Sequence, residues 1–138
     1  MRTVAWIQSS TLAQFKAKDG AVTENHRAVE RYMDGFRSND HEQILDCLTD
    51  DVEWIVPGAF HVRGKAAFDG EIEGDAFVRP PEIEITRMLE VDDVVFAEGF
   101  VRTERSDGTS LNLAMCDVFE MRDGKIRRLT SYLMPTSS

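Results

Sequence analysis

The run from Gly108 to Ile126 constrains this chain more than any other stretch, because its residues alternate in character and then meet Asp123-Gly124. Asp-Gly between alternating residues is a strong hairpin signal, so the run reads as a strand, a tight turn and the start of another strand. Side chains on a strand point alternately to its two faces. Leu111, Leu113, Met115, Asp117, Phe119 and Met121 therefore share one side, and Asn112, Ala114, Cys116, Val118 and Glu120 the other. One carboxyl group sits in an otherwise apolar row. Buried, it must be paired, hydrated in a cavity, or kept neutral with its pKa pushed up. Two readings of Asp117 follow: a structural carboxylate that pairs with an arginine or caps backbone amides, or a pocket acid.

The rest of the chain supplies the frame for that row. Its 138 residues suffice for one core and are too few for two. Residues 1–22 read as an N-terminal extension or arm, with an apolar string from Val4 to Ile7 and a possible helical turn ended by Asp19-Gly20; residues 23–138 read as a single domain. Thr23 is placed to cap a helix from about Glu24 to Arg37, whose Ala28, Val29, Tyr32, Met33 and Phe36 form one stripe. A buried tyrosine usually finds a hydrogen-bond partner, so Tyr32 must reach a carbonyl or point into a cavity. Asp40 and Gln43 have capping-box spacing for a second helix, His41 to Leu48.

After Asp50-Asp51 a strand runs to Val56, with Val52, Trp54 and Val56 on one face and Pro57-Gly58 as its stop. Phe60 to Gly64 forms a short bridging strand. A brief helix follows from Lys65, with Ala67, Phe68 and Ile72 inward and Gly70, Gly74 and the acidic Glu71, Glu73 and Asp75 shortening it. Long strands then succeed one another over about Glu82–Val91, Val94–Arg105, Thr109–Met121 and Lys125–Met134. Helices followed by a strand meander predict an α+β fold, with the helices against one face of a curved sheet. In the second of these strands Val95, Ala97, Gly99 and Val101 form the cavity side, opposite Phe96, Glu98, Phe100 and Arg102. Leu129, Ser131 and Leu133 share the side of Asp117. His61, in a connecting segment near the pocket mouth, is a further candidate for proton transfer.

Charge excludes several function classes. With 16 Lys and Arg against 25 Asp and Glu, the net charge is −9, which disfavours nucleic acid and anionic membranes as partners. No secretory signal and no run of 18 apolar residues is found, so the expected location is cytoplasmic. Cys47 and Cys116 have no metal-type spacing and read as reduced residues of the core or an interface. The scattered His26, His41 and His61 argue against a metal site. No cofactor is expected.

The element order, with Ala28 to Tyr32, Leu48 to Trp54, Pro57-Gly58 and Asp117 to Ile126, resembles the nuclear-transport-factor-2-like superfamily, and within it the SnoaL-like polyketide cyclases and ketosteroid isomerases. The resemblance spans roughly Glu24 to Leu133. It implies a cone-shaped, strongly curved antiparallel sheet wrapped around the N-terminal helices, an α+β roll, and a homodimer formed through the sheet. It also implies that Tyr32 and Asp117 match the isomerases' hydrogen-bond donors to a developing enolate, of which the acid is kept neutral by an apolar site. Asp117 likewise matches the acid/base aspartate of the cyclases.

The isomerases' proton-shuttling carboxylate falls where this chain has Val56, so the standard steroid double-bond shift is not expected. The epoxide hydrolases' Arg and two Asp positions match Gly99, Val101 and Ser131, which excludes that chemistry; paired histidines of the scytalone-dehydratase type are absent. The expected function is an isomerase-, cyclase- or dehydratase-type enzyme for a small apolar or aromatic carbonyl compound. Asp117, Tyr32 and His61 are its catalytic candidates. Trp54, Val56, Phe36, Phe60, Phe68, Met115, Phe119, Leu129, Ser131 and Leu133 are the expected pocket. Two alternatives stand beside it: a non-catalytic module that binds an apolar ligand, and a purely structural dimer with a filled core.

Overall fold

Thr23 begins the first helix, α1 (Glu24–Ser38), by accepting a hydrogen bond from the His26 amide at 3.0 Å. The predicted stripe buries Val29, Tyr32 and Met33, and Asn39 ends the helix in the left-handed conformation, φ 54°. Asp40 caps α2 (His41–Asp46) by accepting from the Gln43 amide at 3.1 Å. The expected capping box is only half made, because the Gln43 side chain donates to the Arg31 carbonyl and ties α2 back to α1. The helix also stops before Leu48, which opens strand β1 (Leu48–Val56) and is fully enclosed there.

Residues 22–73 and 79–136 are described by a computed structural model. The expected arm lies, but for Val22, outside the described residues, as do Gly74 and Asp75. Beyond β1 come β2 (Phe60–Arg63), α3 (Lys65–Ile72), β3 (Glu82–Val91), β4 (Val94–Glu104), β5 (Ser110–Arg122) and β6 (Lys125–Pro135). In α3 the positions one turn apart, Phe68 and Ile72, face inward, which leaves Ala67 exposed rather than packed. Among the described residues no helix is long and apolar enough to cross a membrane.

The six strands form one curved, unclosed sheet in the order β2-β1-β6-β5-β4-β3. It is mixed rather than wholly antiparallel: β1 pairs parallel with β6, because the whole of β2 to β5 intervenes and no hairpin dictates direction. The β5–β6 hairpin turns at Asp123 and Gly124, φ 53° and 76°, the two positive values a type I′ turn requires. Alternation then sorts every inward row. Met115, Asp117, Phe119 and Met121 of β5 are buried, as are Val95 and Ala97 of β4, while Phe96 and Phe100 face out. The core between sheet and helices is filled by Val29, Ile44, Leu48, Val52, Phe68, Phe119, Ile126 and Leu129.

Gly99 has a different role from the one its row predicted. Opposite it, the β3 register shifts between Ile85 and Arg87, and the Thr86 hydroxyl donates to the Glu98 carbonyl at 3.0 Å. A Cβ on Gly99 would overlap the Glu84 carbonyl. The glycine thus admits the close approach of a bulge, and bulges bend a strand and raise its twist.

Gly99→Ala is expected to destabilise the fold by about 1–3 kcal/mol through overpacking against the β3 backbone. Gly70→Ala, in α3 with open space around it, is expected to gain up to about 1 kcal/mol. Thermal melts of the two variants test the assignment, since equal effects would contradict it.

Candidate functional site

Between the inner face of the sheet and helices α1 and α3 lies a cavity of about 420 Å³. Its wall is mainly apolar, with Phe36 from α1, Trp54 and Val56 from β1, Phe60 from β2, Met115 from β5 and Leu133 from β6. Tyr32, Ser131 and Asp117 add polar groups to the same wall. The aromatic side chains hold one another in place. Trp54 stacks on Phe68 at 4.5 Å between ring centres and meets Phe60 and Phe36 edge-on at 5.1 and 5.9 Å. Tyr32 meets Phe119 edge-on at 5.4 Å. Such contacts fix ring orientation and add about 0.5–1.5 kcal/mol each beyond burial.

Asp117 is 7% exposed, and no arginine pairs with it among the described residues. Its Oδ1 is buried without a hydrogen-bond partner among the described residues. Loss of hydration dominates its electrostatics and pushes the carboxyl up to about 7, with only hydrogen bonding from Ser131 acting the other way. Among the described residues neither an arginine nor a backbone amide is a partner of Oδ1. At neutral pH this group divides between neutral and ionised forms. Tyr32, 2% exposed, is pushed well above its usual range by burial first and then by the charge of Asp117. It remains a neutral hydroxyl.

His61 is not brought to the cavity. Phe60 points inward, and the period of two sends His61 to the opposite face, where its Nε2 lies 3.0 Å from Glu53. That buried carboxylate also accepts from Arg63 at 2.8 Å and from Arg128 at 2.9 Å, and these cations, Arg63 foremost, hold it down at about 2. A charged face of the sheet claims His61. Phe68, Phe119 and Leu129 are likewise outside the cavity wall. All are 0% exposed, filling the core beneath Tyr32 and Trp54 and supporting the wall from behind.

Val101, placed on the cavity side by its row, and Leu113, which shares the row of Asp117, extend the wall along β4 and β5. The wall also includes residues that the sequence did not place there: Ile83 and Thr103 extend it along β3 and β4, and Asn39, Glu71, Glu73, Arg79, Pro80 and Pro81 rim its outer part. Alternation could have supplied Thr103, since it continues the row of Val101. Nothing in the sequence marks Arg79, whose guanidinium bonds to Glu104 at 2.7 Å across the fold. His41, outside the cavity wall, holds Asp69 and the wall residue Glu73 at 2.5 and 2.7 Å, one on each ring nitrogen. Carboxylates only accept, so this arrangement requires the doubly protonated ring; Asp69 first, and then Glu73, raise the His41 pKa. Among the described residues no group of three or more His, Cys, Asp and Glu side chains is placed to hold a metal ion.

The sequence matches the SnoaL-like domain family over residues 29–129. No curated protein matches it significantly. Solved structures share the fold. A nuclear-transport-factor-2-like protein of unknown function from Burkholderia pseudomallei K96243 superposes with a TM-score of 0.76 at 16% identity, covering 82% of this chain and 92% of its own. TerC, co-crystallised with polyporic acid, gives 0.73 at 24% identity, with 79% and 90% covered. An LEH-like epoxide hydrolase from M. tuberculosis gives 0.71 at 22%, with 80% and 83% covered. At these identities the likeness is one of fold.

Between pH 3.8 and about 7 the folded chain keeps on Asp117 a proton that the unfolded chain has lost, so this group costs stability as pH rises through that window. Asp117→Asn is therefore expected to match the parent below pH 4 and to exceed it above pH 7, by an amount on the order of a few kcal/mol. Chemical denaturation at pH 4 and pH 8 checks the sign. An asparagine variant that is weaker at pH 8 would show a carboxylate stabilised by ionisation.

Proposed function

The chain belongs to the SnoaL-like domain family, and on that premise we propose that its cavity binds a small apolar or aromatic carbonyl compound on which Asp117 and Tyr32 act. The neutral acid and the phenol donate hydrogen bonds to oxygen as enolate charge develops, or Asp117 itself carries a proton in an isomerase-, cyclase- or dehydratase-type step. The observation that carries this reading is a buried carboxyl held near 7 by desolvation, one oxygen unpartnered, in the wall of a cavity. A group that titrates near neutrality serves as acid and as base with little driving force lost. One oriented donor to a developing oxyanion is typically worth about 3–4 kcal/mol of barrier, and general acid–base transfer about 10²- to 10⁴-fold.

A second reading is favoured by one observation. Val56 lines the cavity, and the resemblance matches its position to that of the ketosteroid isomerases' base. Without a carboxylate at that position, the cavity also suits a module that only binds the same class of ligand. Epoxide opening is not proposed, because the positions that the resemblance matches to that chemistry's Arg and two Asp hold Gly99, Val101 and Ser131. A homodimer through the outer face of the sheet completes the proposal. Phe96 and Phe100 on β4 and Tyr132 and Met134 on β6, the strands on either side of β5, are exposed there at 37%, 48%, 53% and 69%.

Carboxyl-carbon NMR of Asp117, with and without a phenol as enolate mimic, tests the acid. A midpoint well above about 3.9 that moves further on phenol binding is the expected result. An ordinary midpoint indifferent to phenols would end the catalytic reading. Once a substrate turns over, Asp117→Asn should lower kcat at least about 100-fold, whereas a binder should lose about tenfold in affinity or less. For the dimer, sedimentation at micromolar concentration should give twice the chain mass, and Phe100→Glu with Tyr132→Glu should give the monomer. A parent that sediments as a monomer excludes the interface.

A further inference from the structure

Three adjacent strands bring Trp54, Ser131 and Asp117 together, Trp54 standing opposite Leu129, one step along the inward row from Ser131. The Trp54 Nε1 donates to the Ser131 Oγ at 3.0 Å, a buried bond between residues 77 apart in sequence. An indole N–H is a donor and nothing else. Ser131 is therefore the acceptor in that bond, and its single hydroxyl proton is left to be donated elsewhere. Directly across the β5–β6 ladder from Ser131 stands Asp117, on the same inward face. Both are almost fully buried, at 4% and 7% exposure. Asp117 Oδ1 has no partner among the described residues, so a donor among them that reaches this carboxyl serves its other oxygen.

We infer that Trp54 and Ser131 are positioning residues, a one-way hydrogen-bond relay that donates to one oxygen of Asp117 and so fixes the proton of the neutral acid on the other. A carboxylic acid without such a donor has two equivalent places for its proton. With one oxygen occupied by the Ser131 hydroxyl, the neutral acid has only the other to protonate. Trp54 makes the relay directional, because the indole nitrogen has no free lone pair with which to accept the Ser131 proton. The indole also forms part of the cavity wall, stacked on Phe68, so the wall and the acid share one rigid element. This inference rests on the reading of Asp117 as the acid of the site.

The relay predicts that the Trp54 indole resonance follows the titration of Asp117. Each gain of charge on the carboxylate tightens the Ser131 donation and makes Ser131 Oγ a better acceptor for the indole. In the full chain, the ¹H–¹⁵N signal of the Trp54 side chain should therefore shift with the same midpoint as the Asp117 carboxyl carbon. In Ser131→Ala the indole signal should become flat through that pH range. The Asp117 midpoint should also rise by about one pH unit, since a hydrogen bond favouring the charged form is gone. Ser131→Thr, which keeps the hydroxyl, should restore both, and Trp54→Phe should raise the midpoint less than Ser131→Ala does.

An indole signal that stays flat in the parent while Asp117 titrates overturns the relay, wherever the midpoint lies. So does a Ser131→Ala midpoint equal to the parent's. The phenol response of the Asp117 signal is read separately in the same samples and bears on the proposed function, so the two ideas fail independently.

Discussion

The withdrawal of water from one side of β5 is the constraint on which the rest of this molecule depends. A row of apolar side chains two residues apart can be buried only as a unit, and Asp117 is carried inward with its neighbours whether or not its charge is welcome. Register makes that unavoidable. A slip by one residue would bury Asn112, Cys116 and Glu120 and expose Phe119 and Met121, at far greater loss. The carboxyl is thus held in place by the hydrophobic surface of others, and its altered acidity is a by-product of packing that no single contact produces.

The two faces of the sheet show how much the setting decides. Glu53 on β1 and Asp117 on β5 are both nearly inaccessible carboxyls, yet one is held at about 2 and the other at about 7. Arg63, Arg128 and His61 surround the first, while aromatic and aliphatic carbon surrounds the second. A charge with three donors is locked on and chemically inert. A charge with almost none is free to come and go at physiological pH, which is the property a proton-handling group needs.

Much of this was legible in the sequence, and the reasons are specific. The β5 alternation, the Asp-Gly turn and the Thr23 cap are local features, each written within a few residues, and each is where it was read. Asp117, Tyr32 and Trp54 stand out in the sequence because a polar or large group interrupts an apolar row, and all three line the cavity. His61 went wrong by an avoidable step, since Phe60 and His61 cannot both face one cavity on a strand. Phe68, Phe119 and Leu129 were on the correct face, but a period of two tells inside from outside and not wall from interior. The parallel β1–β6 pairing and the place of Arg79 depend on contacts between distant parts of the chain, for which a single sequence carries no local mark.

That parallel pairing also governs when the site can exist during folding. Trp54 enters through β1, early in the chain, and meets Ser131 in β6, at its far end, so no contiguous fragment contains the assembled wall. Hairpins such as β5–β6 can close on local contacts, but the β1–β6 seam must bear the loop-closure entropy of nearly the whole domain. The acid is consequently desolvated only when the last strand is docked. A chain interrupted before that point holds an ordinary, hydrated aspartate, and its unusual acidity becomes a mark of completed folding, not of the residue itself.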